Sequence, residues 1–453
     1  MNYTFPKDFV WGVGGSAFQM EGAMLEDGKT LNVREASFFT KEGPREKFID
    51  SRSPEVCADF YHRYPEDLKL MGELGPKMFR YSIAWTRIIP SRDAEPNQKA
   101  IDYYNNVIDT MIAEGITPFM DLFHSDLPLW VVENGGIADP RFVEWYARYV
   151  EVCFRAFGDR VKFWSTVNEP IYSVFAAYST ARQMPFERDQ GKAFRATFHM
   201  ILAHFRAVKL LRQLWPDAKI GAVSNFSDVY CFSHDPKEIA AAQRSMCIPL
   251  HILDPMVRGK YPEEVLSWPK TRALITDDMI RAVAENFVPL DFVGLNVYCS
   301  KYARHCDDSL FGTRTMKDVP VPRDGYGFAT YPSGTFDALV LLQDRYDGLP
   351  MYITENGFAQ TRKDTSDMDL EPFRHDEDRI RYIREHLRSC ARAIRAGVNL
   401  KGYFYWSFMD TWEVARGFTV PMGLVGINYD TLERQPRDSF YYYQKIMQTN
   451  MVD

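Results

Sequence analysis

The sequence predicts an α/β protein in which eight parallel strands close into a single (β/α)8 barrel with elaborated loops after the strands. Short apolar segments alternate with amphipathic segments along the 453 residues, which is typical of parallel strands joined by right-handed crossovers. No shift in composition and no linker divides the chain, so we expect one domain over residues 1–453. An open doubly wound sheet is the alternative, but no G-x-G-x-x-G or P-loop motif follows any predicted strand.

The individual elements follow from apolar spacing and from the residues that end them. Runs rich in β-branched and aromatic residues predict strands over Val10–Phe18, Met78–Trp85, Thr117–Phe123, Phe163–Val167, Lys219–Asn225, Phe292–Tyr298, Pro350–Ile353 and Lys401–Phe408. Helical spacing predicts helices over Tyr64–Leu74, Lys99–Glu114, Arg141–Phe157, Lys192–Leu214, Phe336–Tyr346, Asp376–Ala396 and Pro436–Met447. Gly115, Gly158 and Gly397 directly follow three of these helices, as expected of C-terminal caps. We interpret residues 233–277 as an elaborated connection and residues 300–333 as a long functional loop.

Composition excludes several classes of function. A formal net charge of −7 argues against a nucleic-acid partner, which needs a basic surface. Seven dispersed cysteines without a C-x-x-C pair indicate reduced thiols, and the first residues lack the pattern of a secretion signal. No apolar run approaches the ~20 residues of a membrane span. We therefore expect a cytoplasmic protein with no membrane partner and no metal, since the nine histidines lack ligand spacing. Whether it forms a homo-oligomer stays open.

Two glutamates occupy the same kind of position in different parts of the chain. Glu355 stands in Ile353-Thr354-Glu355-Asn356-Gly357, after an apolar run and before an Asn-Gly turn signal. Glu169 stands in Thr166-Val167-Asn168-Glu169-Pro170, after another apolar strand. Either one alone could be a helix cap or a partner in an ion pair. Together, two carboxyl groups at the ends of separate strands indicate acid/base or nucleophilic chemistry on a sugar.

Other polar and aromatic residues share this position at or just after the C-terminal end of a predicted strand. They are Gln19, His124, Asn168, Asn296, Tyr298, Trp406 and Glu413. In a closed barrel these ends converge on one face, which is where the active sites of this fold lie. We therefore expect all of them to surround one cavity.

At these positions the sequence resembles glycoside hydrolase family 1, which contains many β-glucosidases, β-galactosidases and phospho-β-glycosidases. The two glutamate motifs carry the resemblance, together with Phe79-Arg80-Tyr81-Ser82-Ile83-Ala84-Trp85 and Gln19-Met20-Glu21-Gly22-Ala23. It extends over nearly the whole chain and implies a TIM barrel and a retaining β-glycosidase without a cofactor. By this resemblance Glu169 is the general acid/base and Glu355 is the nucleophile, held ~5–5.5 Å apart.

The same resemblance implies roles for the surrounding residues. Arg80 and Tyr298 are expected beside Glu355, although Arg80 could instead be a structural ion-pair partner inside the barrel. Asn168 is expected to bind the sugar 2-OH, and Asn296 to orient Glu169 or face the aglycone. Trp406 is a platform for the sugar ring, and Gln19, His124 and Glu413 bind the outer hydroxyls. Taken alone, Trp406 and His124 could equally be core residues, and we interpret Asp126 and Asp410 as structural.

Three positions depart from the family pattern, and all three lie in the sugar pocket. Ser125 and Val414 replace two tryptophans that normally reach O3, and Met422 replaces a phenylalanine near O6. We therefore expect a glycone pocket that is altered around O3 and takes a substituted sugar. The alternative is that residues such as Arg182 or Arg416 refill the space. A 6-phosphate is disfavoured because the carboxylate of Glu413 would repel it.

The aglycone side and the overall reaction leave further alternatives open. Residues 171–190 and 300–333 flank the expected mouth, where Tyr172, Phe175, Tyr178 and Phe186 could form an apolar slot or could pack as a helix face. A catalytically silent carbohydrate-binding protein on this fold is the second class of function, and loss of either glutamate would have favoured it. Transglycosylation is a third reading that the sequence does not separate from hydrolysis.

Overall fold

A computed structural model describes residues 2–40, 49–231, 233–363 and 365–453. Eight parallel strands form a closed barrel whose order around the axis follows the order along the chain. They are β1 (Val10–Gly15), β2 (Met78–Ser82), β3 (Thr117–Asp121), β4 (Phe163–Asn168), β5 (Lys219–Asn225), β6 (Phe292–Asn296), β7 (Met351–Asn356) and β8 (Leu400–Trp406). Pairing of β8 with β1, from Gly402 opposite Val10 to Trp406 opposite Gly14, closes the barrel. The predicted (β/α)8 fold is confirmed.

Long helices connect the strands and cover the outside of the barrel. They are α1 (Phe60–Leu74), α2 (Gln98–Ala113), α3 (Phe142–Phe157), α4 (Gln190–Leu214), α5 (Pro236–Arg258), α6 (Ser333–Arg345), α7 (Glu377–Arg395) and α8 (Asp438–Thr449). Shorter helices include Val33–Phe39, Pro170–Tyr178 and Asp277–Asn286. Within the described ranges, no helix combines the length and the apolar character needed to cross a membrane.

Two sequence predictions of local structure are wrong. Five strands (β1, β2, β3, β6 and β8) end two or three residues before their predicted ends, because the chain leaves the barrel ladder there and turns into the loops of the C-terminal face. The segment 300–333 is not without regular structure. Its strands Lys301–His305 and Thr313–Thr315 pair antiparallel and join Val229–Tyr230 in a small sheet beside the barrel.

The floor of the barrel is filled by aromatic side chains, as barrel interiors of this fold are packed in layers. The cluster contains Met78, Phe119, Phe163, Phe292, Tyr352 and Phe404, all nearly inaccessible to solvent. Glycines on facing strands make room for these rings. A Cβ at Gly12 would lie 2.3 Å from the Phe404 ring, and one at Gly221 would lie 2.5 Å from the Phe292 ring. The aromatic floor closes the barrel, so the polar residues lie above it, at the C-terminal face.

Candidate active site

Glu355, in β7, is held by two donors at the mouth of the barrel. Arg80, from β2, donates from Nη1 to Glu355 Oε1 at 2.6 Å, and the Tyr298 hydroxyl donates to Oε2 at 2.8 Å. The Glu355 side chain is only about 5% exposed, and that of Arg80 only 1%. The carboxylate therefore sits in a fixed orientation in a nearly dry environment, where charge-assisted hydrogen bonds are short and strong.

Glu169 immediately follows β4 and starts the helix Pro170–Tyr178. Its backbone is left-handed (φ 47°) and its N–H donates to the Val223 carbonyl oxygen at 3.0 Å, which turns the side chain away from the strand direction. The Asn296 amide donates to Glu169 Oε1 at 3.0 Å. Burial raises the pKa of Glu169 to about 7, and the negative charge on nearby Glu355 contributes to the increase. Glu169 is therefore a carboxyl group that exchanges a proton near neutral pH.

Asn168 links the surroundings of the two glutamates. Its Oδ1 accepts from Arg80 Nη2 and from Asn296 Nδ2, each at 2.9 Å. Since both donors point at Oδ1, Nδ2 is the amide nitrogen that faces His124 Nε2 at 3.2 Å. His124 Nε2 is then the acceptor, so Nδ1 carries the proton and donates to Asp121 Oδ2 at 2.9 Å. One continuous hydrogen-bond network thus orients both carboxyl groups.

Asp121, at the end of β3, is a site residue that sequence reasoning missed. Besides His124, it accepts from Arg80 Nη2 at 3.3 Å and from Ser165 Oγ at 2.7 Å. It is fully buried. Arg80 is thus a barrel-interior ion-pair partner of Asp121 as well as a neighbour of Glu355, so both readings of Arg80 apply. The signal was present in the sequence, because Asp121 lies at a strand end like the residues that were recognised.

A second group of predicted residues forms the opposite wall. Glu413 Oε1 accepts from Gln19 Nε2 at 3.0 Å and from Thr411 Oγ1 at 2.6 Å, and the Trp406 indole also donates to Glu413. Burial raises the pKa of Glu413 to about 7, against the effect of the Thr411 hydrogen bond. The Trp406 ring lies parallel to the His124 ring with 5.4 Å between their centres. The structure therefore brings together all ten predicted catalytic and binding residues, in a cavity lined by carboxyl groups, amides and an indole.

Comparison with known proteins agrees with this geometry. The family model described as Glycosyl hydrolase family 1 matches residues 1–452. The chain belongs to glycosyl hydrolase family 1. It is 35% identical over 452 residues to a β-glucosidase A of Thermotoga maritima and 34% identical over 453 residues to a β-glucosidase A of Acetivibrio thermocellus, with 99% of each chain covered. A 6-phospho-β-glucosidase of Bacillus subtilis is 36% identical over 442 residues, with 94% of each chain covered.

Solved structures give the same result. A family 1 β-glucosidase of Thermotoga maritima superimposes with a TM-score of 0.92 at 34% identity, and all of both chains is covered. The Thermotoga maritima enzyme in complex with deoxynojirimycin superimposes with a TM-score of 0.90 at 34% identity, covering 99% of each chain. The present chain is accordingly a β-glucosidase-like O-glycosyl hydrolase of a retaining family.

The family 1 enzyme has its own arrangement at the three positions that depart from the family pattern. Ser125 is buried with a left-handed backbone (φ 66°), and the Ser173 hydroxyl donates to its hydroxyl at 3.0 Å. Val414 also has a left-handed backbone (φ 46°) and packs against the apolar cluster around Trp412. Met422 is buried against Trp406. The side chains at these three positions are thus small or aliphatic.

Arg34, which the sequence analysis did not select, lies beside Ser125 and donates from Nε to the Ser125 carbonyl oxygen at 3.4 Å. Arg416 donates to the Tyr326 carbonyl oxygen at 3.0 Å, and Arg182 is exposed on the helix 170–178 side of the mouth. The arginine that contacts Ser125 is therefore Arg34, from a short helix (Val33–Phe39) that no sequence periodicity connected to the site.

The predicted apolar aglycone slot is only partly present. Phe175 packs against Phe194 and Phe311, and Tyr178 is 1% exposed with its oxygen accepting from the Ile137 N–H at 3.0 Å. These two side chains are core, as the packing alternative proposed. Tyr172 remains 45% exposed at the mouth.

The structural reading of Asp410 agrees with its bidentate ion pair with Arg437, at 2.8 and 2.7 Å.

Proposed function

We propose that this enzyme hydrolyses β-linked glycosides by double displacement, with Glu355 as the nucleophile and Glu169 as the acid/base. The observation that carries the proposal is the unequal environment of two carboxyl groups in one network. Glu355 is paired with Arg80 and Tyr298, whereas Glu169 is partly buried and desolvation raises its pKa to about 7. Two neighbouring carboxyl groups with different pKa values usually act as the acid and the nucleophile of such a site.

In the first step, a Glu355 oxygen attacks the anomeric carbon while the bond from this carbon to the leaving oxygen breaks. The leaving oxygen takes the proton of Glu169, which becomes a carboxylate, and Glu355 becomes a glycosyl ester. The ester no longer carries the charge that helps to raise the pKa of Glu169. In the second step, water gives a proton to Glu169 as its oxygen attacks the anomeric carbon. The ester bond breaks, Glu355 regains its charge, and the sugar leaves with its original configuration.

The surrounding residues have supporting roles in this proposal. Arg80 and Tyr298 orient Glu355, and the network through His124 and Asp121 fixes Asn168, which has one amide hydrogen left for the sugar 2-OH. Asn296 orients Glu169. Trp406, Gln19 and Glu413 bind the sugar ring and its outer hydroxyls. A 6-phosphate is not favoured at this wall, because it would face the buried Glu413 carboxyl group.

The glycone pocket of this enzyme is proposed to differ from that of a plain β-glucosidase on the O3 side. Ser125 and Val414 carry no indole donor, and the side chain beside Ser125 is the guanidinium of Arg34. A glucose unit in the usual orientation would lose two neutral hydrogen bonds, which corresponds to about 5- to 150-fold in kcat/KM. A substituent at O3 would occupy this space.

Trapping of the glycosyl-enzyme tests the catalytic assignment. We expect 2,4-dinitrophenyl 2-deoxy-2-fluoro-β-D-glucoside to inactivate the enzyme and to add one fluorosugar to the peptide that contains Glu355. The Glu355→Gln variant is the control, and it should remain unlabelled. Label on any other residue contradicts the assignment. Proton NMR of the first product anomer separates retention from inversion, and added alcohol acceptors measure transglycosylation.

A further inference from the structure

Arg34 is fixed at the wall of the glycone pocket by the start of a short helix. Asn32 Oδ1 accepts from the N–H groups of Arg34 and Glu35, at 2.8 and 3.0 Å, and caps the helix Val33–Phe39. The Val33 N–H donates to the Leu127 carbonyl oxygen at 2.8 Å, which ties this helix to the loop after β3. Arg34 therefore reaches Ser125 from a rigid position.

The guanidinium of Arg34 is a partly buried cation that has no anionic partner among the described residues. Among residues 2–40, 49–231, 233–363 and 365–453 it makes no ion pair, and its one hydrogen bond is the 3.4 Å contact with Ser125. Burial lowers the pKa of Arg34 to about 10, and the nearby carboxyl groups of Glu169 and Asp126 act in the opposite direction. Burial also raises the pKa of Glu169 and that of Asp126 to about 7, so these carboxyl groups only partly neutralise Arg34 near neutral pH.

A second arginine and a tyrosine extend the same wall. Arg416, three residues after Glu413, donates to the Tyr326 carbonyl oxygen, and its guanidinium carbon lies 5.5 Å from the centre of the Tyr326 ring. Tyr326 stacks on Phe328 at 4.6 Å, and its hydroxyl has no hydrogen-bond partner among the described residues. The charges of Glu413, Arg416, Arg34 and Glu169 all affect the pKa of this hydroxyl, so Tyr326 lies within electrostatic range of both arginines and of the carboxyl groups of the site.

We propose that Arg34, Arg416 and Tyr326 form an oxyanion-binding wall on the O3 side of the glycone pocket, and that the preferred glycone carries an anionic substituent, such as a sulfate ester, at O3. This inference rests on the proposed function of Glu169 and Glu355. A guanidinium that is partly removed from water and has no anion beside it among the described residues is stabilised by an anion that binds there. The planar guanidinium fork suits two oxygens of a sulfate or carboxylate, and the free Tyr326 hydroxyl adds a third donor. Loss of the two indoles leaves the room that such a group needs.

Three substrates distinguish the effect of the charge of the O3 substituent from the effect of its size. They are 4-nitrophenyl β-D-glucoside, its 3-O-methyl ether and its 3-O-sulfate. The methyl ether has a neutral substituent at the same position, so it reports the space alone. We expect kcat/KM for the sulfate to exceed that for the methyl ether by about 10- to 150-fold, as for one charged hydrogen-bonded pair. A sulfate that reacts no faster than the methyl ether overturns the proposal.

Variants identify the residues that carry the preference. Arg34→Met should remove most of the advantage of the sulfate while changing kcat/KM for the methyl ether by less than roughly threefold, and Arg34→Lys should restore part of it. Arg416→Met tests the second arginine in the same way. The control is Arg182→Gln, an exposed arginine at the mouth, which should change no ratio. An equal loss for both substrates in Arg34→Met would show a structural role instead, and would refute the charge assignment.

A binding measurement tests the oxyanion-binding wall independently of the proposed catalytic function. Calorimetric titration with glucose 3-sulfate and with 3-O-methylglucose needs no turnover. If the enzyme cleaves none of the three glycosides but binds the sulfate tightly in an Arg34-dependent manner, the proposed function fails and the oxyanion wall stands. If all three are cleaved and glucose 3-sulfate binds no better than the ether, the wall is refuted and the proposed function stands.

Discussion

Ionisation of Glu169 should limit the reaction above neutral pH. Because its pKa is about 7, the acid form that protonates the leaving oxygen falls to about one half at pH 7 and to about 1% at pH 9. The kcat/KM of an alkyl β-glycoside, whose leaving group needs the proton, should therefore fall about tenfold per pH unit above 7. A carboxyl group with the ordinary Glu pKa of about 4.3 would already have lost more than 99% of its acid form at pH 7.

The assay compares two leaving groups over about pH 4 to 10. The octanol leaving group of octyl β-D-glucoside needs a proton from the acid, whereas 2,4-dinitrophenolate leaves without one. Only the octyl glycoside should therefore show the alkaline decline in kcat/KM. In Glu169→Gln, the octyl glycoside should lose about 100- to 10,000-fold in kcat/KM, and the alkaline decline should disappear. The matched control is Glu187→Gln, which removes a loop carboxyl group that pairs with Lys192 at 2.6 Å and should leave the profile unchanged.

Asn296 tests the direction in which a neighbouring hydrogen bond shifts the pKa of Glu169. Its hydrogen bond to Glu169 lowers the pKa of that carboxyl group, so Asn296→Ala should move the alkaline decline to higher pH. An alkaline midpoint below about pH 5.5 in the unmodified enzyme, or a decline that persists in Glu169→Gln, would refute the reasoning.

Three further changes have defined outcomes. Tyr298→Phe removes the 2.8 Å hydrogen bond to Glu355, so kcat/KM should fall about 10- to 150-fold while the melting temperature stays constant. If kcat/KM and the melting temperature fall together, the variant is misfolded and the prediction fails. Asp126→Asn should stabilise the protein more at pH 8.5 than at pH 5. Burial raises the pKa of Asp126 to about 7, so the unmodified protein loses stability as the pH rises from about 4 to about 7, by about 4 kcal/mol of unfolding free energy in all and about 3 kcal/mol above pH 5, whereas the amide does not titrate. Urea unfolding at both pH values checks this, and the same pH dependence in both proteins would contradict it. Gly12→Ala should lower the free energy of unfolding by about 1–3 kcal/mol, because the new Cβ would lie 2.3 Å from the Phe404 ring. An unchanged urea midpoint would contradict the close packing of aromatic rings in the floor of the barrel.

The positions of the catalytic residues could be predicted because strand ends are marked in the sequence. Glu169 and Glu355 each follow an apolar run, and parallel strands in a closed barrel bring their C-terminal ends together whatever the loops do. Asp121 also ends its strand but was missed, because the predicted strand ran on to Phe123 and placed Asp121 inside it.

The walls of the pocket could not be predicted in the same way. Arg34 and Tyr326 come from segments without periodicity, and nothing in their local sequence indicates which other loop they contact. Phe175 and Tyr178 had two alternatives in the sequence, an aglycone slot or a packed helix face, and the structure packs both side chains against the core. Helical spacing shows that residues share a face, and it leaves open whether that face meets a ligand or another helix.

By itself, the sequence determined the barrel, the face on which the polar residues meet and the two carboxyl groups that we propose as acid/base and nucleophile. These follow from the alternation of strands and helices and from short motifs, which are local properties of the chain. Only the tertiary structure decided which tautomer His124 adopts, why Glu169 holds a proton near pH 7 and which cation lies beside Ser125. These properties depend on burial and on distances between residues far apart in the chain, and both are set by packing.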